Sequence, residues 1–146
     1  MFIPIDACLR TLYVFAFTSG VDYADTSTYH NITVEYNGIV LIMTLYDRPG
    51  SEFILNKGDL WDFSLPNCIT LHAITAVSVI ANGNDGWNIE SIVTLVRDTD
   101  NRIQLLTNDF DVYRWIDSND DVDHRKFKLT LSRNDIISGK ALIFVG

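Results

Sequence analysis

The sequence predicts an all-β protein, a two-sheet antiparallel β-sandwich of about eight strands. β-Branched and aromatic residues, which favour strands, are abundant, and the aromatic share alone is 12%. Short segments that alternate apolar and polar side chains recur along the chain, each followed by turn residues. Neither a repeat nor a Pro/Gly/Ser-rich linker divides the 146 residues, so we predict a single domain over residues 1–146.

Three strands are predicted in the first third of the chain. Residues 11–17 are apolar on both faces, as in a buried strand, and residues 31–36 alternate apolar and polar side chains. Residues 39–46 form a continuous apolar run that is typical of a central strand. Asn37-Gly38 lies between the last two segments and is the strongest short-range hairpin signal in the chain.

The remaining strands are predicted from the same alternation. Residues 69–80 are long and β-branched, and form one bent strand or two. A second hairpin is predicted at the turn Asp98-Thr99-Asp100, and only residues 108–117 and 133–138 have helical spacing. The other predicted strands are residues 61–65, 88–97, 101–106, 126–131 and 141–145. In the first of these, Trp61, Phe63 and Leu65 share one face, so Phe63 is predicted to be a core residue.

The charge of the chain is acidic and unevenly distributed. A net charge of −8 argues against nucleic acid as a partner, because phosphates would be repelled. Residues 1–124 hold six Lys/Arg against eighteen Asp/Glu, whereas residues 125–146 hold five against one. Arg125, Lys126 and Lys128 belong to this basic segment, which we interpret as a solvated strand face or as a contact for anionic headgroups. No apolar run approaches the ~20 residues of a transmembrane helix.

No catalytic constellation is recognisable. His30, His72 and His124 are far apart in the sequence, and no pair of histidines has metal-ligand spacing. The chain also lacks a GxSxG motif, a Walker loop and a Cys-His signature. We therefore predict that this protein is not an enzyme.

Two polar segments are candidates for a calcium site. Ca²⁺ takes six to eight oxygen ligands from carboxylates and carbonyls. Asp22, Asp25 and Asn31 lie in the first long loop or at its end, and Asn84 and Asp85 lie in a second one. A sandwich gathers its loops at two ends, so these segments are expected to share an ion there. The alternative is that they are polar turn residues in solvent.

Two tryptophans and two cysteines leave alternatives open. Trp61 and Trp87 are candidates for membrane or partner contact, and Trp87 follows a glycine as a loop-tip anchor would. Both are equally compatible with the core. Cys8 and Cys68 allow one disulfide or two small buried thiols.

The order of several segments resembles the PLAT domain, the β-sandwich of lipoxygenases, pancreatic lipases, polycystins and clostridial phospholipase toxins. The resemblance covers roughly residues 11–117. Its segments are TLYVFAFTSG, ADTSTYHNITVEYNG, GDLWDFSLP, GNDGWNIESIVTL and DFDVYRWID. The family's Gly-Thr-Asp sequence has Asp25-Thr26-Ser27 here, so Ser27 replaces a carboxylate that helps to hold calcium in the family.

The resemblance implies a non-catalytic interaction module that docks to a lipid membrane surface or to a protein partner, with calcium as a candidate ligand. A secreted or peripheral-membrane location is favoured. The alternative function is a carbohydrate-binding, lectin-like sandwich, in which exposed aromatic rings stack on sugars. A purely structural or oligomerising domain is the third hypothesis.

Overall fold

The computed structural model describes residues 3–20, 30–45, 57–81, 87–109, 114–116 and 128–131. In that part of the chain all regular structure is β, as the alternating patterns predict. Nine strands are present: β1 (Cys8–Thr18), β2 (His30–Tyr36), β3 (Ile39–Leu45), β4 (Gly58–Thr70), β5 (Ile74–Ala81), β6 (Trp87–Asp98), β7 (Ile103–Asp109), β8 (Arg114–Ile116) and β9 (Lys128–Leu131).

The strands form two sheets in which every pairing is antiparallel. The first sheet has the order β4-β1-β6-β7, and β8 also pairs with β6. The second sheet has the order β3-β2-β5-β9. This arrangement confirms the predicted antiparallel β-sandwich.

The core consists of the inward-facing residues of both sheets. Leu12, Val14 and Ala16 of β1 are each at most 1% exposed, and Ile32 and Val34 of β2 pack in the same cluster from the opposite sheet. Full burial of one such aliphatic side chain stabilises the fold by about 1.5–3 kcal/mol. The period-2 alternation in the sequence is therefore the direct cause of the two-layer packing.

Residues of β4 follow the predicted facing, with a gradient of burial. Trp61 is 2% exposed, whereas Phe63 and Leu65 on the same face are partly buried against the core. The predicted shared face is thus confirmed. Phe63 is nevertheless less enclosed than the core position that its alternation predicts, because β4 is an edge strand of its sheet.

Both predicted hairpin turns are present. Asn37 and Gly38 have φ values of 48° and 74°, the left-handed pair that a two-residue type I′ turn requires. In the β6–β7 turn, the buried carboxylate of Asp98 accepts hydrogen bonds from the backbone N–H of Asp100 at 3.0 Å and of Arg102 at 2.8 Å. Arg102 also donates its Nε–H to Asp98 at 2.6 Å.

Two local predictions are settled differently by the structure. Residues 69–80 hold two strands, because a turn at 71–73 separates β4 from β5, and His72 is exposed in that turn. The helical spacing of residues 108–117 was misleading, since its described residues belong to β7 and β8. Residues 133–138 and 141–145 lie outside the described residues.

Cys8 and Cys68 form a disulfide that joins β1 to β4, with their Cα atoms 4.7 Å apart. Cys8 is partly buried and Cys68 is exposed. The alternative of two buried thiols is therefore wrong.

Candidate functional site

One end of the sandwich, which we call the loop end, gathers the long connections between the sheets. Segments 21–29, 46–56 and 82–86 connect β1 to β2, β3 to β4 and β5 to β6. Each of these connections crosses from one sheet to the other. The opposite end carries the short turns at 37–38, 71–73 and 99–102.

The strand order places the ends of two of these connections next to each other. β1 pairs with β6 in the first sheet, and β2 pairs with β5 in the second. At the loop end the register aligns Thr18 with Ile89, and His30 with Ala81. The strand ends that bound segment 21–29 therefore lie beside those that bound segment 82–86.

A buried polar cluster ties the strand ends together. Ser19 donates its hydroxyl to Oδ1 of Asn88 at 2.7 Å and its backbone N–H to the carbonyl oxygen of Asn88 at 3.0 Å. Trp87 donates its Nε1–H to Oγ1 of Thr18 at 2.8 Å. All four residues are at most 3% exposed, so these hydrogen bonds are formed away from water and fix the two chain segments rigidly.

His30 connects this cluster to the second sheet. Its side chain is fully buried, and its ring lies edge-on to the ring of Trp87 with centroids 5.3 Å apart. Its Nε2 lies 3.5 Å from the carbonyl oxygen of Ile116 in β8. This structural role of His30 was not predicted. The sequence nevertheless holds a signal for it, because His30 continues the buried alternation of Ile32 and Val34.

The predicted contact role of Trp61 and Trp87 must be corrected. Trp61 is 2% exposed and Trp87 is 0% exposed, and both belong to the core cluster. The indole N–H of Trp87 is satisfied inside the protein by Thr18. Neither ring is therefore available to a membrane, a partner or a sugar in this structure.

Asn31 is the one predicted calcium ligand among the described residues. The register of β2 places it on the outer face of the second sheet, where its Oδ1 accepts a hydrogen bond from Thr44 at 3.2 Å. That face is turned away from the buried cluster that joins the loops. Asp22, Asp25, Asn84 and Asp85 lie outside the described residues. In the part of the chain that the structure describes, no group of three or more His, Cys, Asp or Glu side chains could hold a metal ion.

The described part of the basic segment begins at the loop end. Lys128 begins β9 and pairs with Ile80, one residue before β5 ends. Arg125 and Lys126, which precede β9, are outside the described residues. Within the described ranges, no helix is long and apolar enough to cross a bilayer.

The fold and its loop end define a PLAT-like β-sandwich, as the resemblance implied. Among solved structures, the alpha-toxin of Clostridium perfringens (avian strain SWCP) matches with a TM-score of 0.69 at 18% identity, over 88% of this chain and 33% of the toxin chain. The alpha-toxin of Clostridium absonum matches with a TM-score of 0.68 at 20% identity, over 87% of this chain and 32% of that one.

A coral 8R-lipoxygenase, described as activated by calcium through a C2-like domain, matches with a TM-score of 0.58 at 12% identity, over 85% of this chain and 17% of the lipoxygenase chain. This protein therefore spans about a third or less of the length of these neighbours. No protein-family model and no curated relative matches the chain.

Proposed function

We propose that this protein is a non-catalytic docking module that attaches to a lipid membrane surface through its loop end. The observation that carries the proposal is the side-by-side arrangement of the strand ends that bound segments 21–29 and 82–86, where the Ser19–Asn88 and Trp87–Thr18 hydrogen bonds lock β1 to β6. These strand ends are a rigid base for the two polar segments. Such preorganisation lowers the entropic cost of binding.

Calcium is the proposed bridge between the acidic loops and anionic lipid. Asp22, Asp25 and Asp85 supply carboxylates and Asn84 supplies an amide oxygen, which are the ligand types that Ca²⁺ takes. At a net charge of −8, attraction to an anionic surface needs a bound cation or a basic segment. Arg125, Lys126 and Lys128 provide that second source of positive charge where the chain enters β9.

A protein partner and a carbohydrate are the competing ligands. A protein partner would use the same loop end. The carbohydrate alternative loses support because the two candidate tryptophans for stacking on a sugar ring, Trp61 and Trp87, are buried. We therefore favour membrane docking over these two alternatives.

Co-sedimentation with phosphatidylserine-containing vesicles tests the proposal. We expect the protein to pellet with these vesicles in calcium and to stay in the supernatant in EGTA. The double variant Asp25→Asn/Asp85→Asn should lose most of the calcium-dependent pelleting. Asp6→Asn/Asp62→Asn is the matched control, because it changes the net charge equally at two exposed residues outside the loop segments.

The same variants separate calcium binding from lipid binding. Calcium at a hundred times its dissociation constant should stabilise the folded wild type by about 2.7 kcal/mol. The Asp25→Asn/Asp85→Asn variant should lose this gain and keep or raise its calcium-free melting temperature, because repulsion between carboxylates is removed. Equal pelleting in calcium and in EGTA would rule out calcium as the bridge to lipid. No pelleting in either condition would rule out membrane binding.

A further inference from the structure

The edge strand β3 is apolar, uncharged and exposed. Within the described residues it pairs only with β2 and is the edge strand of its sheet. Three of the six large exposed hydrophobic residues of the described chain lie on this one strand. Ile39 is 53% exposed, Val40 51% and Ile42 61%.

The backbone of β3 is arranged for further pairing. A two-residue hairpin makes Tyr36 and Ile39 a hydrogen-bonded pair, and the antiparallel ladder then alternates along the strand. It follows that the N–H and C=O groups of Val40, Ile42 and Thr44 point away from β2, toward the other edge of β3. Their side chains share the outer face of the sheet, so the exposed apolar residues are also the ones whose backbone groups point outward.

The other edge strands of the described sheets carry the features that prevent pairing. β4 contains Asp59, Asp62 and Pro66, and β9 is four residues long and begins with Lys128. β7 has a register shift against β6 and ends at Asp109. Charges, prolines, short length and bulges are the usual protections of an edge. β3 has none of these, and its register against β2 is unbroken over seven residues.

We propose that β3 is a strand-addition site whose occupant is β3 of a second copy of this chain. The residues whose backbone groups point outward are centred on Ile42, so the set maps onto itself under a two-fold axis through that residue. Val40 then pairs with Thr44 of the other copy, and Ile42 pairs with its own equivalent. About six backbone hydrogen bonds would join the two copies into one continuous sheet.

The self-complementary pattern and the packing of β3 favour a second copy over an unrelated occupant. Two molecules of net charge −8 repel each other overall, but β3 holds no charged residue, so pairing at this strand juxtaposes no carboxylates. Pairing also places Ile42 against Ile42, a β-branched cross-strand pair, and covers the half-exposed Leu41 and Met43 on the inner side. A single seven-residue strand buries a small interface, so the dimer should be weak and dependent on concentration.

Analytical ultracentrifugation over a concentration series tests this pairing without lipid or calcium. The wild type should pass from monomer to dimer between about 1 μM and 1 mM. Ile42→Lys, at a residue that is 61% exposed, should stay folded by circular dichroism and weaken dimerisation at least about tenfold. Leu60→Lys is the matched control, since Leu60 is an apolar residue on β4 that is 51% exposed, and it should dimerise like the wild type.

A cross-linking variant tests the register. The Cα atoms of a hydrogen-bonded antiparallel pair are about 5.5 Å apart, which is within the range of a disulfide. Ile42→Cys should therefore form a covalent dimer under mild oxidation, whereas Thr44→Cys, whose opposite residue is Val40, should not. A wild type that is monomeric throughout the series overturns the proposal. An equal loss of dimerisation in Ile42→Lys and Leu60→Lys also overturns it. So does a wild type that stays monomeric while Ile42→Lys lowers vesicle binding, because the exposed apolar residues of β3 would then be a lipid contact.

Discussion

At the scale of single residues, Trp87 shows where sequence patterns stop being informative. A tryptophan that follows a glycine at the start of a strand fits a loop anchor and a core residue equally well. What decides between them is the hydroxyl of Thr18, which accepts the indole N–H and is 69 residues away in the sequence. Alternation predicts the facing of Trp61 and Phe63, but no local pattern predicts that partnership.

The Thr18–Trp87 hydrogen bond should matter for stability. Thr18→Val keeps the shape of the side chain but removes the hydroxyl that accepts the buried Nε1–H of Trp87. Removing the acceptor of a buried donor costs about 1–3 kcal/mol, and we expect that loss in the free energy of unfolding measured by urea denaturation.

Thr44→Val is the control for this substitution. It also removes a threonine hydrogen bond from a strand, the one to Asn31, but at an exposed position where water replaces the partner. Surface changes of this kind stay within about 0.5 kcal/mol. Equal losses in the two variants would mean that burial of the Trp87 donor is not the reason for the effect.

At the scale of strands and turns, the sequence is most informative where turn chemistry is explicit. Asn37-Gly38 predicts its hairpin because both residues tolerate the left-handed conformation that the turn requires. The turn at 71–73 consists of Leu71, His72 and Ala73 and contains no glycine, proline or asparagine, so the division of residues 69–80 stays open in the sequence. β8 was missed because three residues are too few to show a period.

The Cys8–Cys68 disulfide should contribute substantially to the stability of the first sheet. It joins β1 to β4 across a sequence separation of 60 residues, and a loop of that size corresponds to about 4 kcal/mol in the chain-entropy account. Cys8→Ala/Cys68→Ala should therefore unfold with a free energy about 2–4 kcal/mol lower than that of the oxidised wild type.

Reduction of the wild type provides the control for that variant. Reduced wild type should unfold at nearly the same denaturant concentration as the double alanine variant, because both lack the same cross-link. If reduction has no effect and only the variant is destabilised, the loss comes from packing of the sulfur atoms and not from the covalent bond.

At the scale of the whole molecule, the sequence predicted the sandwich but not the order of its strands. Asp22 and Asp85 were expected at one end because sandwiches collect loops there. The strand ends that bound their segments are brought together by the strand order, in which β1 lies beside β6 and β2 beside β5. Such pairings join residues far apart in the sequence and leave no trace in local alternation. The acidic residues and Asn31 could therefore be proposed from the sequence, but the hydrogen bond between Asn31 and Thr44 could not.

The two proposals together predict that this protein clusters vesicles. β3 runs toward the loop end, so antiparallel pairing of two copies would place their loop ends at opposite ends of the joined sheet. A dimer bound to lipid at both loop ends would then bridge two membranes. Turbidity of anionic vesicles in calcium should rise with wild-type protein, and it should do so only at concentrations at which the dimer forms.

Variants assign any failure of this prediction to one proposal or the other. Ile42→Lys should pellet with vesicles but leave the suspension clear, because it binds lipid as a monomer. Asp25→Asn/Asp85→Asn should dimerise in the ultracentrifuge but neither pellet nor cluster vesicles. Clustering by Ile42→Lys at the wild-type level would show that bridging does not use β3, because lysine at the centre of the pairing would place two like charges directly opposite each other.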